Sequence, residues 1–315
     1  MTIAANADRA ALVATARDTI AIGSQSFKSA SKLFAPATRE RAWLLYSWCR
    51  SLDDLTDGQE LGHAASGAAD PAATQARLVS LTTKALDSDA SVPPPFAALR
   101  QVARETAMPR RMVEDHLAGF ALDAGDWRPQ NEEDLLRYCY HVAGSVGCMM
   151  AVVMGVDPAD EDTLDRACDL GLAFQLANIA RDIVPDAEVG RCYIPADWLA
   201  GTGLAEADIA NPANRPALAG LARRLVALAE PYRASARIGA ARLPRRSRLA
   251  VLAADAIYGA IGERVAALGA HGWDQRVSIS KAGKAALFAR ALVRGLRKPA
   301  PAVRTGLWTR PHQSR

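Results

Sequence analysis

The chain has 315 residues, 50% of them apolar and 23% charged, with a formal net charge of +4, a composition that supports a sizeable core and excludes global disorder. Its five cysteines, Cys49, Cys139, Cys148, Cys168 and Cys192, form no CxxC pair, which argues against a disulfide framework or a cysteine zinc site and for a reducing cytoplasm. The longest apolar stretch, 142–156, is interrupted by Gly144, Ser145, Gly147 and Gly155, too short and too glycine-rich for a bilayer span.

Ala and Leu dominate the apolar share, which favours helices over strands. Apolar residues recurring at a period of 3.6 predict helices over 6–20, 37–57, 72–87, 94–106, 109–124, 131–154, 160–184, 213–240, 245–268 and 280–297. Punctuation supports these limits: Pro36 precedes one start, Pro93, Pro94 and Pro95 separate two helices, and the acids 132–134 suit a helix N-terminus. The first predicted helix carries acids early and lacks a long apolar core, unlike a secretory signal. No repeat and no composition shift divides the chain, so one all-α domain is expected, over 23–298, with a helical extension (1–22) and a basic tail (299–315).

The second predicted helix ends in Arg50-Ser-Leu-Asp53-Asp54-Leu-Thr-Asp57. Asp53 and Asp57 lie one turn apart, and at ~5 Å and an effective dielectric of ~20 their repulsion is on the order of 3 kcal/mol. Two readings stay open, a solvated acidic helix end or ligands for a hard cation such as Mg²⁺. Along the end of the seventh and just past it, Asn178, Asp182 and Asp186 keep a spacing of four beside a largely apolar run, where unpaired carboxylates are not buried without compensation. Pro185 makes Asp186 the least secure of the three, because the helix is expected to kink or end there. Arg50 and Arg181 adjoin the two acidic motifs, able either to pair with the aspartates or to fork onto phosphate. The five histidines share no metal or triad spacing, and there is no GxGxxG or Walker loop. From Arg276 to Arg315 there are ten Lys or Arg and no acid, either a solvated tail or a segment drawn to lipid head groups or a charged substrate. No interleaved aromatics or known motif point to nucleic acid.

Taken together, Gln175, Asn178-Ile179, Arg181-Asp182, Asp186, Arg191, Tyr193 and Pro195 resemble the long signature of the squalene and phytoene synthase family. Tyr138-Cys-Tyr-His-Val-Ala143-Gly-Ser-Val-Gly147 is similar to its shorter signature, with Ser145 where Thr or Ala is more usual. Asp53-Asp54-Leu-Thr-Asp57 is similar to its first aspartate-rich motif, and Gly23-Ser24-Gln25-Ser26-Phe27 to its opening serine segment. The likeness runs from about Ser24 to Arg276 and is strongest to the bacterial carotenoid branch.

The resemblance implies an all-α isoprenoid-synthase fold around a central cavity. It implies Mg²⁺- or Mn²⁺-dependent 1′-1 condensation of two geranylgeranyl diphosphates, through a cyclopropylcarbinyl diphosphate, to phytoene and two diphosphates, without NADPH. By position, Asp53, Asp57, Asn178, Asp182 and Asp186 would bind metal, and Ser24, Ser26, Tyr46, Arg50, Tyr138, Gln175, Arg181, Arg191, Tyr258 and Arg276 the substrates. Tyr193, Arg181 and Arg50 are the expected catalytic residues. The alternatives are squalene, dehydrosqualene or hydroxysqualene synthesis from farnesyl diphosphate, and a non-catalytic assembly or lipid-binding role. Peripheral contact with the inner face of the cell membrane through 290–298 and Trp308, and neighbouring carotenoid enzymes as partners, complete the expectations.

Overall fold

A computed structural model describes residues 2–23, 30–56, 59–60, 63–64, 70–297, 299–300 and 302–312. Among the described residues the regular structure is helical apart from one minimal antiparallel pair, β1 (Gln59–Glu60) and β2 (His63–Ala64). The fold is all-α. Its backbone packing divides into two compact units, 1–125 with 149–159, and 126–148 with 160–315.

The first unit holds α1 (Thr2–Gly23), α2 (Pro36–Thr56), α3 (Pro71–Asp87), α4 (Pro94–Thr106) and α5 (Arg110–Ala124). The Asp70 side chain accepts from the Ala72 amide and Pro71 opens the first turn of α3, so that start is fixed locally. α2 buries Leu44, Leu45, Trp48 and Leu52 and packs on α1 and α4. The three helices are also tied by Glu105, which accepts from Arg9 (2.6 Å) and Arg41 (2.9 Å), while Arg9 reaches Glu40 (2.7 Å).

The second unit contains α6 (Glu132–Cys139), a π turn (Tyr140–Gly144), the start of α7 (Ser145–Val153), α8 (Glu161–Glu188), the short α9 (Ala196–Ala200), α10 (Arg215–Ala240), α11 (Arg245–Leu268) and α12 (Lys281–Leu296). Asn131, Asp160 and Ser280 cap α6, α8 and α12 by accepting from the amides of Asp134, Thr163 and Gly283. α8 is the central element, packed on α10, α11 and the π turn. It passes the π turn at backbone contact: a Cβ on Gly171 would lie 2.3 Å from the Ala143 carbonyl oxygen, so only glycine fits.

Two expectations are corrected here. The continuous helix over 131–154 is interrupted by the π turn at 140–144, and α8 does not stop at Pro185 but continues to Glu188. Pro185 removes one backbone donor, and that single loss near the helix end is tolerated. No described helix is long and apolar enough to cross a membrane.

Candidate active site

In the first unit, Tyr46, Arg50, Asp53 and Asp54 occupy the last three turns of α2. Arg50 Nη2 donates to Asp54 Oδ1 at 2.5 Å, both side chains being largely shielded, while Asp53 is exposed. Asp54, which sequence spacing left without a role, is thus a partner of Arg50. The Tyr46 hydroxyl is pushed up to about 12 by burial and by the charges of Asp53 and Asp54, against the pull of Arg50. A Cβ on Gly23 would lie 2.7 Å from that hydroxyl and 3.7 Å from Arg50 Cδ. Gly23, the residue before the serines, therefore sits against Tyr46 and Arg50. Ser24, Ser26 and Asp57 lie outside the described residues.

In the second unit, α8 carries Gln175, Asn178, Arg181, Asp182 and Asp186 on one continuous helix, so the spacing of four keeps Asn178, Asp182 and Asp186 on one face. Arg181 pairs with Asp182 through Nε (2.9 Å) and Nη2 (2.5 Å), and Arg276 adds a bond at 3.3 Å. Asn178 Nδ2 donates to Gln175 Oε1 at 3.4 Å. The Asp186 carboxyl is raised to about 7 by burial and by the charge of Asp182, despite Arg191, Arg181 and Arg276. Two neighbouring carboxylates and an amide oxygen on one face are a hard-cation donor set. These residues fit a divalent ion.

Aromatic surfaces adjoin this face. Tyr258 stacks on Phe174 at 4.0 Å, and its hydroxyl is raised by burial, with Arg181 acting in the other direction. Tyr138 stacks between Trp127 (5.6 Å) and Tyr193 (4.8 Å). The Cys192 thiol is pushed up to about 11, chiefly by burial, with Asp186 close enough to add to the rise. Trp127 and Phe174 were not singled out from the sequence. Phe174 adjoins Gln175, but a lone aromatic at helical spacing reads as core.

The first three turns of α8 repeat the same spacing. Glu161, Asp165 and Asp169 are also spaced by four, and Glu161, Asp165 and His312 offer metal-type atoms within 4.8 Å of one another. Here the compensation comes from side chains of the same chain. Arg310 pairs with both Glu161 and Asp165, His312 Nε2 reaches Asp165 at 2.9 Å, and Arg304 forks onto Asp169 at 2.8 and 2.7 Å. Residues 302–312 of the basic tail therefore fold back onto α8, and guanidinium groups stand where a metal ion would otherwise be needed.

Comparison with known proteins identifies the family. A sequence model of the squalene/phytoene synthase family matches residues 20–283. A phytoene synthase of Pseudescherichia vulneris is 49% identical over 94% of this chain and 97% of its own. A 15-cis-phytoene synthase of Paracoccus sp. is 47% identical over 96% of this chain and 99% of its own. Among solved structures, a ligand-bound dehydrosqualene synthase superposes with a TM-score of 0.80 at 25% identity, covering 90% of this chain and 96% of that one. A squalene synthase of Alicyclobacillus acidocaldarius does so at 0.72 and 21%, covering 85% and 96%.

Proposed function

The chain belongs to the squalene/phytoene synthase family, and from that premise we infer that it is a prenyltransferase making phytoene from two geranylgeranyl diphosphates, in carotenoid biosynthesis. The observation that carries the reading is the 47–49% identity over nearly the whole chain to bacterial proteins named phytoene synthase. The neighbours named for squalene and dehydrosqualene are 25% identical or less.

The reaction ionises an allylic diphosphate and must stabilise a polyanionic leaving group beside a carbocation. Members of this family depend on a divalent metal. On this chain Asn178, Asp182 and Asp186 would hold it, with Asp53 and Asp57 as a second acidic pair of the same chemistry. Bound there, Mg²⁺ or Mn²⁺ supplies electrostatic stabilisation to the diphosphate. Arg181 and Arg276, now on Asp182, exchange that carboxylate for phosphate oxygens, and Arg50 leaves Asp54 in the same way. Ser24, Ser26, Tyr46, Gln175 and Arg191 orient the diphosphate ends. The faces of Tyr138, Tyr193 and Tyr258 give the cation an electron-rich, water-poor surrounding. Loss of a proton instead of hydride addition ends the sequence, so no NADPH is needed.

The test is competition between C20 and C15 diphosphates with Mg²⁺, with and without NADPH, and hydrocarbons identified by mass. A C40 product independent of NADPH is expected. Preference for a C30 product would move the chain to the squalene side of its family.

A further inference from the structure

The loop 189–195, which carries Arg191 and Tyr193 between α8 and α9, is held by the segment that precedes α6. Both segments lie in the second unit. The chain turns at Gly190, whose φ of +76° costs glycine nothing, and the Arg191 amide closes that turn on the Asp186 carbonyl at 2.8 Å. Beyond it burial alternates: Cys192 and Ile194 are 4% and 3% exposed, whereas Arg191 is exposed and Tyr193 half-buried. The loop is thus anchored through one set of positions and offers its two site residues from the other.

Buried anchors fix the depth of a loop, not the direction of its accessible side chains. Two neighbouring residues, Trp127 and Arg128, supply that direction. Arg128 Nη2 donates to the Gly190 carbonyl at 2.7 Å. That carbonyl belongs to the peptide unit leading into Arg191, and because the unit is planar, holding its oxygen sets the path on which Arg191 leaves. The guanidinium is itself fixed, through Nε on Glu206 and Nη1 on Asp126, both at 2.8 Å. Trp127 lies on Tyr138 with the ring planes 17° apart, and Tyr138 on Tyr193 at 20°, so one stack of three rings sets the plane of Tyr193. Past the stack, the Ala196 and Asp197 amides donate to the Pro129 and Gln130 carbonyls at 3.0 and 3.2 Å. The two segments are therefore joined at both ends of the loop and in its middle.

We propose that Trp127 and Arg128 are positioning residues, Arg128 for the hold of Arg191 on diphosphate and Trp127, through Tyr138, for the face that Tyr193 turns to the cation. A loop ordered before substrate arrives spares binding the cost of ordering it. The inference rests on the reading above, in which Arg191 takes diphosphate and Tyr193 faces the cation.

The experiment titrates the full chain with inorganic diphosphate and Mg²⁺ by calorimetry, and measures kcat and KM for hydrocarbon synthesis. Arg128→Met should weaken diphosphate about tenfold, the loss of one charge-assisted hydrogen bond. On an Arg191→Met background the same change should weaken it no further, because Arg128 acts through Arg191. Arg128→Lys, which keeps the charge without the fork, should lose about threefold and serves if the Met variant does not fold. Glu206→Gln should stay within about twofold of the parent, since the bond to Gly190 survives. Trp127→Ala should lower kcat about fivefold at unchanged diphosphate affinity, and Trp127→Phe should restore it. Full affinity in Arg128→Met and Arg128→Lys overturns the proposal, as does an equal loss with and without Arg191, an equal loss in Glu206→Gln, or an unchanged kcat in Trp127→Ala. Each of these leaves the reading of the site standing. If the parent chain binds no diphosphate, or Arg191→Met binds it as well as the parent, that reading falls and the inference with it.

Discussion

Removing the arginine that holds Asp169 gives the sharpest test of how the tail is used. Asp169 is 0% exposed, and both its oxygens accept from Arg304, whose guanidinium also donates to Thr309 and the Trp308 carbonyl. Burial raises the Asp169 carboxyl even with Arg304 in place. Arg304→Ala should therefore cost about 3–5 kcal/mol, the usual penalty for orphaning a buried charge, out of a total stability of about 5–15 kcal/mol. The pH dependence gives the loss its own mark. Without Arg304 the folded-state pKa of Asp169 rises well above its unfolded value, so the protonated form relieves the penalty in acid. The deficit should then grow as pH rises above the folded-state pKa that Asp169 already has with Arg304 in place, by about 1.4 kcal/mol per unit until the higher folded pKa of the variant is reached. The double variant Asp169→Asn/Arg304→Gln, with no charge to strand, should recover most of the loss. Urea denaturation at several pH values reads all of this. A deficit below about 1 kcal/mol that does not vary with pH would refute a docked tail.

Three further outcomes follow from the same structure. Glu105 is lowered from its ordinary 4.5 to about 2, burial being outweighed by hydrogen bonds from Arg9, Gln101 and Arg41; its stabilisation is complete above pH 4.5 and lost as pH falls toward 2. Glu105→Gln should cost about 1–2 kcal/mol at neutral pH and flatten acid unfolding in that window, read by circular dichroism. Gly171→Ala would drive a methyl into the Ala143 carbonyl and Gly144 Cα, so we expect about 3 kcal/mol of destabilisation or failure to fold, measured by thermal melting. Asp182→Asn should keep the fold but lower kcat/KM for hydrocarbon synthesis by about 10²–10³-fold and raise the metal concentration needed for half-activity.

Helix positions were legible from the 3.6 period and from punctuation such as Pro36, Pro93 to Pro95 and the acids at 132–134, and the structure adds side-chain caps at Asp70, Asn131, Asp160 and Ser280. The π turn was not, because Tyr140–Gly144 has ordinary helical composition and its extra residue answers to contact with Gly171 of a distant segment. Pro185 misled for the opposite reason, since a local rule about proline took no account of how little helix remained to lose. The α8 acids teach most about spacing. Asn178, Asp182 and Asp186 stood out, yet Glu161, Asp165 and Asp169 obey the same interval and passed unnoticed. What separates them is where the positive charge comes from: Arg304, Arg310 and His312 of the tail neutralise one set, whereas Arg181 and Arg276 leave Asp186 raised in the other. Charge compensation between residues more than a hundred positions apart cannot be read from spacing. The acid-free tail was its visible trace.

The central claim is that the Asn178–Asp182–Asp186 face receives a diphosphate through divalent cations. Its most direct test is a crystal structure with Mn²⁺ and an unreactive thio-analogue of geranylgeranyl diphosphate, with the metal located by anomalous scattering. The account predicts Mn²⁺ on these oxygens, with Arg181 and Arg276 moved from Asp182 to the phosphate. A bound diphosphate with no metal on that face, or with both arginines still on Asp182, would contradict it.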